Sequence, residues 1–294
     1  MTNAAAAALA AALLLCSCGG DEARRRDSSR RAVVAVTSAP AAWLVELSGG
    51  ALPAEVVASA GADPRRWRPD DAALEALVSA ERVLLVSEEF EPWTQRAGLP
   101  PSRTLELADL VEPDLLLRTT GVEHTHGTGP AHSHGGTVGT IWTDPAALET
   151  LPARVAEALG GSGDGLRAPE GLDAYREALT ALGAKAAGRA IIATDHGLEY
   201  VARAAGVEVR VALLECGPDG PTNQRGVLQA EAFAKKEEDA GLLVWVGEAP
   251  HPTFAPAAEA ELGLRSIPFD LGAAPGSDVL GTLTASVRAL TEAL

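Results

Sequence analysis

The sequence predicts an α/β protein of two lobes, each a mostly parallel sheet flanked by helices. A connecting helix joins the lobes and the ligand cleft lies between them. Three observations carry this. Short apolar runs of strand length alternate with stretches of helical spacing. The alternation occurs twice, on either side of the Gly-rich break "GGSGDG" at 160–165. The 294 residues are enough for two modest lobes, each with its own core.

The first element is the run "AAAAALAAALLLCSCGG", whose apolar part of about a dozen residues is shorter than the ~20 that span a bilayer. It ends on Leu15, Ser17 and Cys18 in the spacing of a lipobox, although no basic residue precedes it. The expectation is a lipoprotein signal peptide over 1–18 with lipidation at Cys18, and a flexible tether over 19–31 carrying "DEARRRDSSRR". Four buried strands are then predicted at 32–37, 54–59, 82–87 and 114–120, with helices on "APAAWLVELSGG" and "RPDDAALEALVSA". They form an N-terminal lobe over 32–160. Within it lies a loop, 121–140, that holds His124, His126, His132 and His134, four of the six histidines. A connecting helix is expected within 161–189, with Leu172, Tyr175, Leu179, Leu182 and Ala186 on one face. Strands at 190–195, 208–215, 242–247 and 265–270, spaced by helices, form a C-terminal lobe over 190–294. Strands spaced by helices imply parallel sheets covered on both faces.

A net charge of −16 repels phosphate backbones and excludes nucleic acid as a partner. Ligands of such sheets sit beyond the carboxyl ends of the strands. The residues there are Ser38, Glu88, the loop from Gly121, Asp195 with His196, Glu215, Glu248 and Asp270. Several are of metal-ligand type. His196 opens a helix directly after a strand, where the cleft and a helix N-terminus coincide.

Four segments stand in order along the chain: "GADPRRWRPDDAALEALVSAERVLLVSEEFEPW", "HSHGGTVGTIWTDPAALETLPARVAEAL", "IIATDHGLEYVARAAGVEV" and "LLVWVGEAPHPTFAPAAEAELGLRSIPFDLG". Together they resemble the zinc/manganese substrate-binding proteins of ABC importers, the cluster A-I metal-binding lipoproteins. The resemblance implies an extracytoplasmic, lipid-anchored, monomeric binding protein that hands a divalent metal to an ABC permease and is not an enzyme. It also implies three histidines and a carboxylate as ligands. His196 and Asp270 stand at two of those positions, whereas Arg65 and Thr140 replace the other two histidines.

Three readings follow. In the first, the cleft binds metal through His196 and Asp270, completed by imidazoles from His132 or His134, with Glu248 and His251 as further candidates; such a set favours zinc over manganese. In the second, the cleft is degenerate, Arg65 pairs with a carboxylate, and the His-rich loop alone scavenges or senses zinc. In the third, His196 and Asp270 belong to a zinc metallohydrolase; no nucleophile elbow or phosphate loop supports it.

Overall fold

The computed structural model describes residues 31–50, 52–59, 67–88, 90–117, 123–124, 132–133, 136–217, 219–236, 241–273 and 278–294. The expected signal peptide and Cys18 lie outside the described residues, as do Arg65, His126 and His134.

The first sheet contains β1 (Arg31–Val36), β2 (Ala54–Val56), β3 (Ala80–Leu85) and β4 (Thr104–Glu106), all parallel, in the order β2-β1-β3-β4. Helix α1 (Ala39–Leu47) follows β1, capped by Ser38 and with Pro40 in its first turn. Helix α2 (Asp71–Ser79) leads into β3; its cap Asp70 accepts from the Ala73 amide at 2.8 Å. Two single turns, α3 (Thr94–Ala97) and α4 (Leu107–Leu110), flank β4. A two-stranded hairpin, β5 (Glu123–His124) with β6 (His132–Ser133), sets the backbone of His124 opposite that of His132. Helix α5 (Leu151–Ala158) closes this half against α1.

The chain passes once to the second half, through α6 (Leu172–Ala186). There β7 (Ile191–Ala193), α7 (Glu199–Ala205) and β8 (Val209–Val211) are followed by a small hairpin, β9 (Cys216–Gly217) with β10 (Gly220–Pro221). Then come α8 (Gln224–Lys236), β11 (Leu242–Val246), α9 (Phe254–Leu262), β12 (Arg265–Phe269) and α10 (Val279–Ala293). The second sheet is also parallel, in the order β12-β11-β7-β8. Numbered by appearance and read from its other edge, it has the same order as the first sheet: second, first, third, fourth strand.

The period of two along a strand assigns its neighbours. In β11, Leu242, Val244 and Val246 belong to a core with Tyr175, Leu179 and Leu182 of α6 and Leu283 and Val287 of α10. The intervening Leu243 and Trp245 pack with Ala230 of α8 and Ala255 and Ala258 of α9. The strand is buried on both faces, hence its unbroken apolar sequence.

Two expectations need correction. The strand predicted over 114–120 does not form within its described part: 113–115 is a turn and 116–117 is irregular. Its backbone groups find other partners, since Arg203 donates to the Leu115 carbonyl at 2.7 Å and the Leu117 amide donates to the Tyr200 hydroxyl at 3.1 Å. The fourth strand is instead Thr104–Glu106. The helix within 161–189 begins only at Leu172, after Gly171 in the left-handed conformation; all five of its predicted apolar-face residues are buried.

Candidate metal-binding site between the lobes

The loops beyond the carboxyl ends of both sheets meet at the segment 139–142. Phe90, beyond β3, lies over Gly139, where an added Cβ would fall 1.9 Å from the ring; no larger residue fits beneath it. The same ring packs edge-on against Trp142, with centroids 6.2 Å apart. From the second half, Trp142 Nε1 donates to the carbonyl of Leu271, just past β12, at 3.0 Å. Thr140 Oγ1 donates to the Gly197 carbonyl at 3.0 Å. Gly197 itself has little room, since a Cβ there would lie 2.7 Å from Val246 and 3.3 Å from both Thr140 and Leu271.

His196 sits at this junction. It opens a 3-10 turn, His196–Leu198, that runs into α7, and Asp195 caps the turn by accepting from the Gly197 amide at 3.1 Å. The imidazole is one-third exposed, and its Nδ1 lies 2.8 Å from Oε1 of Glu199. Asp270 follows β12 and is exposed; its Oδ1 accepts from the Gly272 amide at 2.9 Å, bracing the turn that carries Leu271. Glu248 follows β11 and is exposed. His251 is engaged by its own neighbours. Its Nε2 reaches the Gly217 carbonyl at 3.0 Å and its Nδ1 meets Thr253 Oγ1 at 3.0 Å, so the ring ties the start of α9 to the β9 hairpin. The side chains of His124, His126, His132 and His134 lie outside the described residues. Among the described residues no three His, Cys, Asp or Glu side chains come together as a metal-ligand group.

Bonds from the 143–144 segment hold the two halves in register. Tyr175 Oη donates to the Thr143 carbonyl at 2.8 Å, and burial holds its phenol pKa above the usual range, with Asp144 adding to the effect. Arg203 of α7 reaches Asp144 Oδ2 at 2.6 Å, and that carboxylate is almost wholly buried.

Besides Asp144, sequence reasoning missed a second buried acid. Glu91 is fully buried between the carboxyl ends of β1 and β3. It accepts from Thr37 Oγ1 and from the Val86 amide, the latter at 2.6 Å. Burial pushes its carboxyl up to about 7, against the lowering effect of the two donors. In sequence, "SEEFEPW" reads as an acidic surface loop; only the alternation with Phe90 and Trp93, both packed inward, hints otherwise.

Over residues 33–294 the chain matches the family described as "Zinc-uptake complex component A periplasmic", ZnuA. The chain belongs to this family. The ZnuA family comprises transporter substrate-binding proteins of the periplasm, and its members are not enzymes. Three solved structures are similar in fold. The crystal structure of ZnuA superposes with a TM-score of 0.65 at 17% identity, over 90% of this chain and 99% of that one. The metal-dependent lipoprotein YcdH from Bacillus subtilis gives 0.63 at 13%, over 89% and 98%. Zn(II)-bound AdcA from Streptococcus pneumoniae gives 0.64 at 13%; it covers 89% of this chain, which spans only 57% of AdcA. No curated protein matches by sequence search. The Thr140 hydroxyl donates directly across to the His196 turn.

Proposed function

We propose that this chain captures a divalent transition metal outside the cytoplasm, zinc ahead of manganese, and presents it to an ABC permease. Membership of a zinc-uptake family supports this. The observation that carries it is the place of His196, at the carboxyl end of β7 and on the turn that receives Thr140 from the other half. His196 is the anchoring ligand. Asp270 and Glu248, beyond β12 and β11 of the same sheet, supply the carboxylates. Thr140 and Arg65 are poor ligands, so the missing imidazoles come from His132, His134, His124 or His126 on the loop that enters this segment. The protein works as a monomer, anchored through Cys18 and the tether 19–31. Its lobes span 32–160 and 190–294, with 161–189 connecting them.

A second reading has a specific observation in its favour. The β5–β6 hairpin sets the backbone of His124, the first of one His-x-His pair, opposite that of His132, the first of the other. The loop can then hold zinc by itself while the lobes close on Thr140 without metal.

Calorimetric titration of the full-length chain in detergent with zinc chloride separates the two. If the cleft binds metal, His196→Ala weakens the tight site at least about 100-fold, a loss of roughly 3 kcal/mol. If deleting 123–136 abolishes binding and His196→Ala leaves it unchanged, the loop is the metal site and the cleft reading is wrong.

A further inference from the structure

We propose that Glu199 is a positioning residue for metal capture: it grips His196 by Nδ1 and so makes Nε2 the nitrogen that meets the ion. The inference rests on the reading of His196 as a ligand. Glu199 Oε1 lies 2.8 Å from His196 Nδ1, one turn along the same short helical run. A carboxylate only accepts, so the proton of this pair sits on Nδ1 and the ring's lone pair on Nε2. The two ring nitrogens point apart. The carboxylate on Nδ1 therefore stands behind the ring, too far round to coordinate the same ion, and acts through the imidazole rather than on the metal.

The second carboxylate oxygen supplies an independent observation. Glu199 Oε2 is buried and accepts no hydrogen bond among the described residues. A buried carboxylate oxygen without a donor is costly. The nearest cation on the same helix, Arg203, directs its Nη2 to Asp144 at 2.6 Å and to the Leu115 carbonyl at 2.7 Å. Asp270 is in a different position, because one of its oxygens already accepts from the Gly272 amide. In a site where Arg65 and Thr140 have replaced two histidines, a fixed and charge-supported His196 matters more. Carboxylates that orient a metal-bound histidine in this way are worth about 10- to 100-fold in metal affinity.

The test titrates zinc chloride into the full-length chain in detergent, comparing wild type, Glu199→Ala, Glu199→Gln and His196→Ala. Imidazole ¹⁵N spectra of the zinc-free proteins report the tautomer, with His196 assigned by its loss in His196→Ala. The expected result is an Nδ1–H tautomer for His196 in wild type, and about 10- to 100-fold weaker zinc binding in Glu199→Ala with a shift toward Nε2–H. Glu199→Gln, nearly isosteric, keeps the Nδ1–H tautomer through its amide oxygen but loses the charge, so its affinity falls between the two. Should Glu199→Ala fail to fold, Glu199→Gln decides the matter. Zinc affinity within twofold of wild type in the Glu199 variants, with His196→Ala still defective, overturns the positioning role alone. An Nε2–H tautomer in wild type overturns it too. Binding that survives His196→Ala removes the ligand reading beneath it.

Discussion

The two sheets have the same strand order, yet the crevices at their equivalent switch points hold opposite things. In the first sheet the crevice lies between the ends of β1 and β3, and the chain's own Glu91 fills it, bonded to Thr37 and the Val86 amide. In the second it lies between β7 and β11. Here the Val246 amide donates directly to Thr194 Oγ1 at 3.1 Å, no buried acid takes the equivalent place among the described residues, and Asp195 and His196 follow at the carboxyl end of the sheet. One topology therefore offers two potential ligand crevices, and a single buried acid decides which is sealed. Fold alone does not locate a site; the side chain that occupies the crevice does.

The comparison can be broken most forcefully at Glu91. Its folded carboxyl titrates near 7, above the 4.5 of the unfolded chain, so the folded state binds the proton more tightly. The resulting stability is complete below pH 4.5 and is lost as pH rises through 7. Glu91→Gln, which mimics the protonated form, should flatten this dependence. Denaturant melts at pH 5 and pH 8 should show wild type losing about 3 kcal/mol more than the variant. Parallel pH profiles for the two proteins would mean that the first crevice is not sealed by a protonated acid.

A smaller effect is expected where the two crevices are held facing each other. Asp144→Asn removes the charge partner of Arg203 and should cost about 2 kcal/mol in chemical denaturation. A loss below about 0.5 kcal/mol would put this pair in the class of exposed ion pairs that contribute little. The smallest effect is expected for Trp142→Phe, which keeps the ring against Phe90 but deletes the bond to the Leu271 carbonyl. It should cost about 1 kcal/mol. Because that bond braces the turn after Asp270, zinc titration of the same variant sharpens the comparison by showing whether the second crevice depends on the first half for its shape.

Strands with a continuous apolar run, such as "LLVWV" of β11 and "RVLL" within β3, are readable in the sequence because burial on both faces leaves no polar position. Thr104–Glu106 is not readable. Three residues give neither a run nor an alternation, and only pairing with β3 makes them a strand. The reverse error at 114–117 came from counting apolar residues. Leu115, Leu116 and Leu117 do pack on the core, but from irregular chain whose backbone is satisfied by Arg203 and Tyr200. The place of His196 just beyond a strand is legible because the apolar run "AIIA" stops just before it. Glu199 was not, since a glutamate one turn into a helix ordinarily points to solvent, and its relation to Nδ1 depends on the 3-10 turn that precedes α7.

The single passage through α6 has a consequence for how the molecule is made. Every strand of the first sheet lies within residues 31–106 and every strand of the second within 191–269. No strand of the first sheet waits for a partner from the far end of the chain. Wherever the chain emerges N-terminus first, the earlier sheet can assemble before the later one has appeared. The bonds of Trp142, Thr143 and Asp144 to the second half come last. Until then Trp142 and the polar groups of 140–144 lack their partners in the second half, and the segment is an unfinished surface.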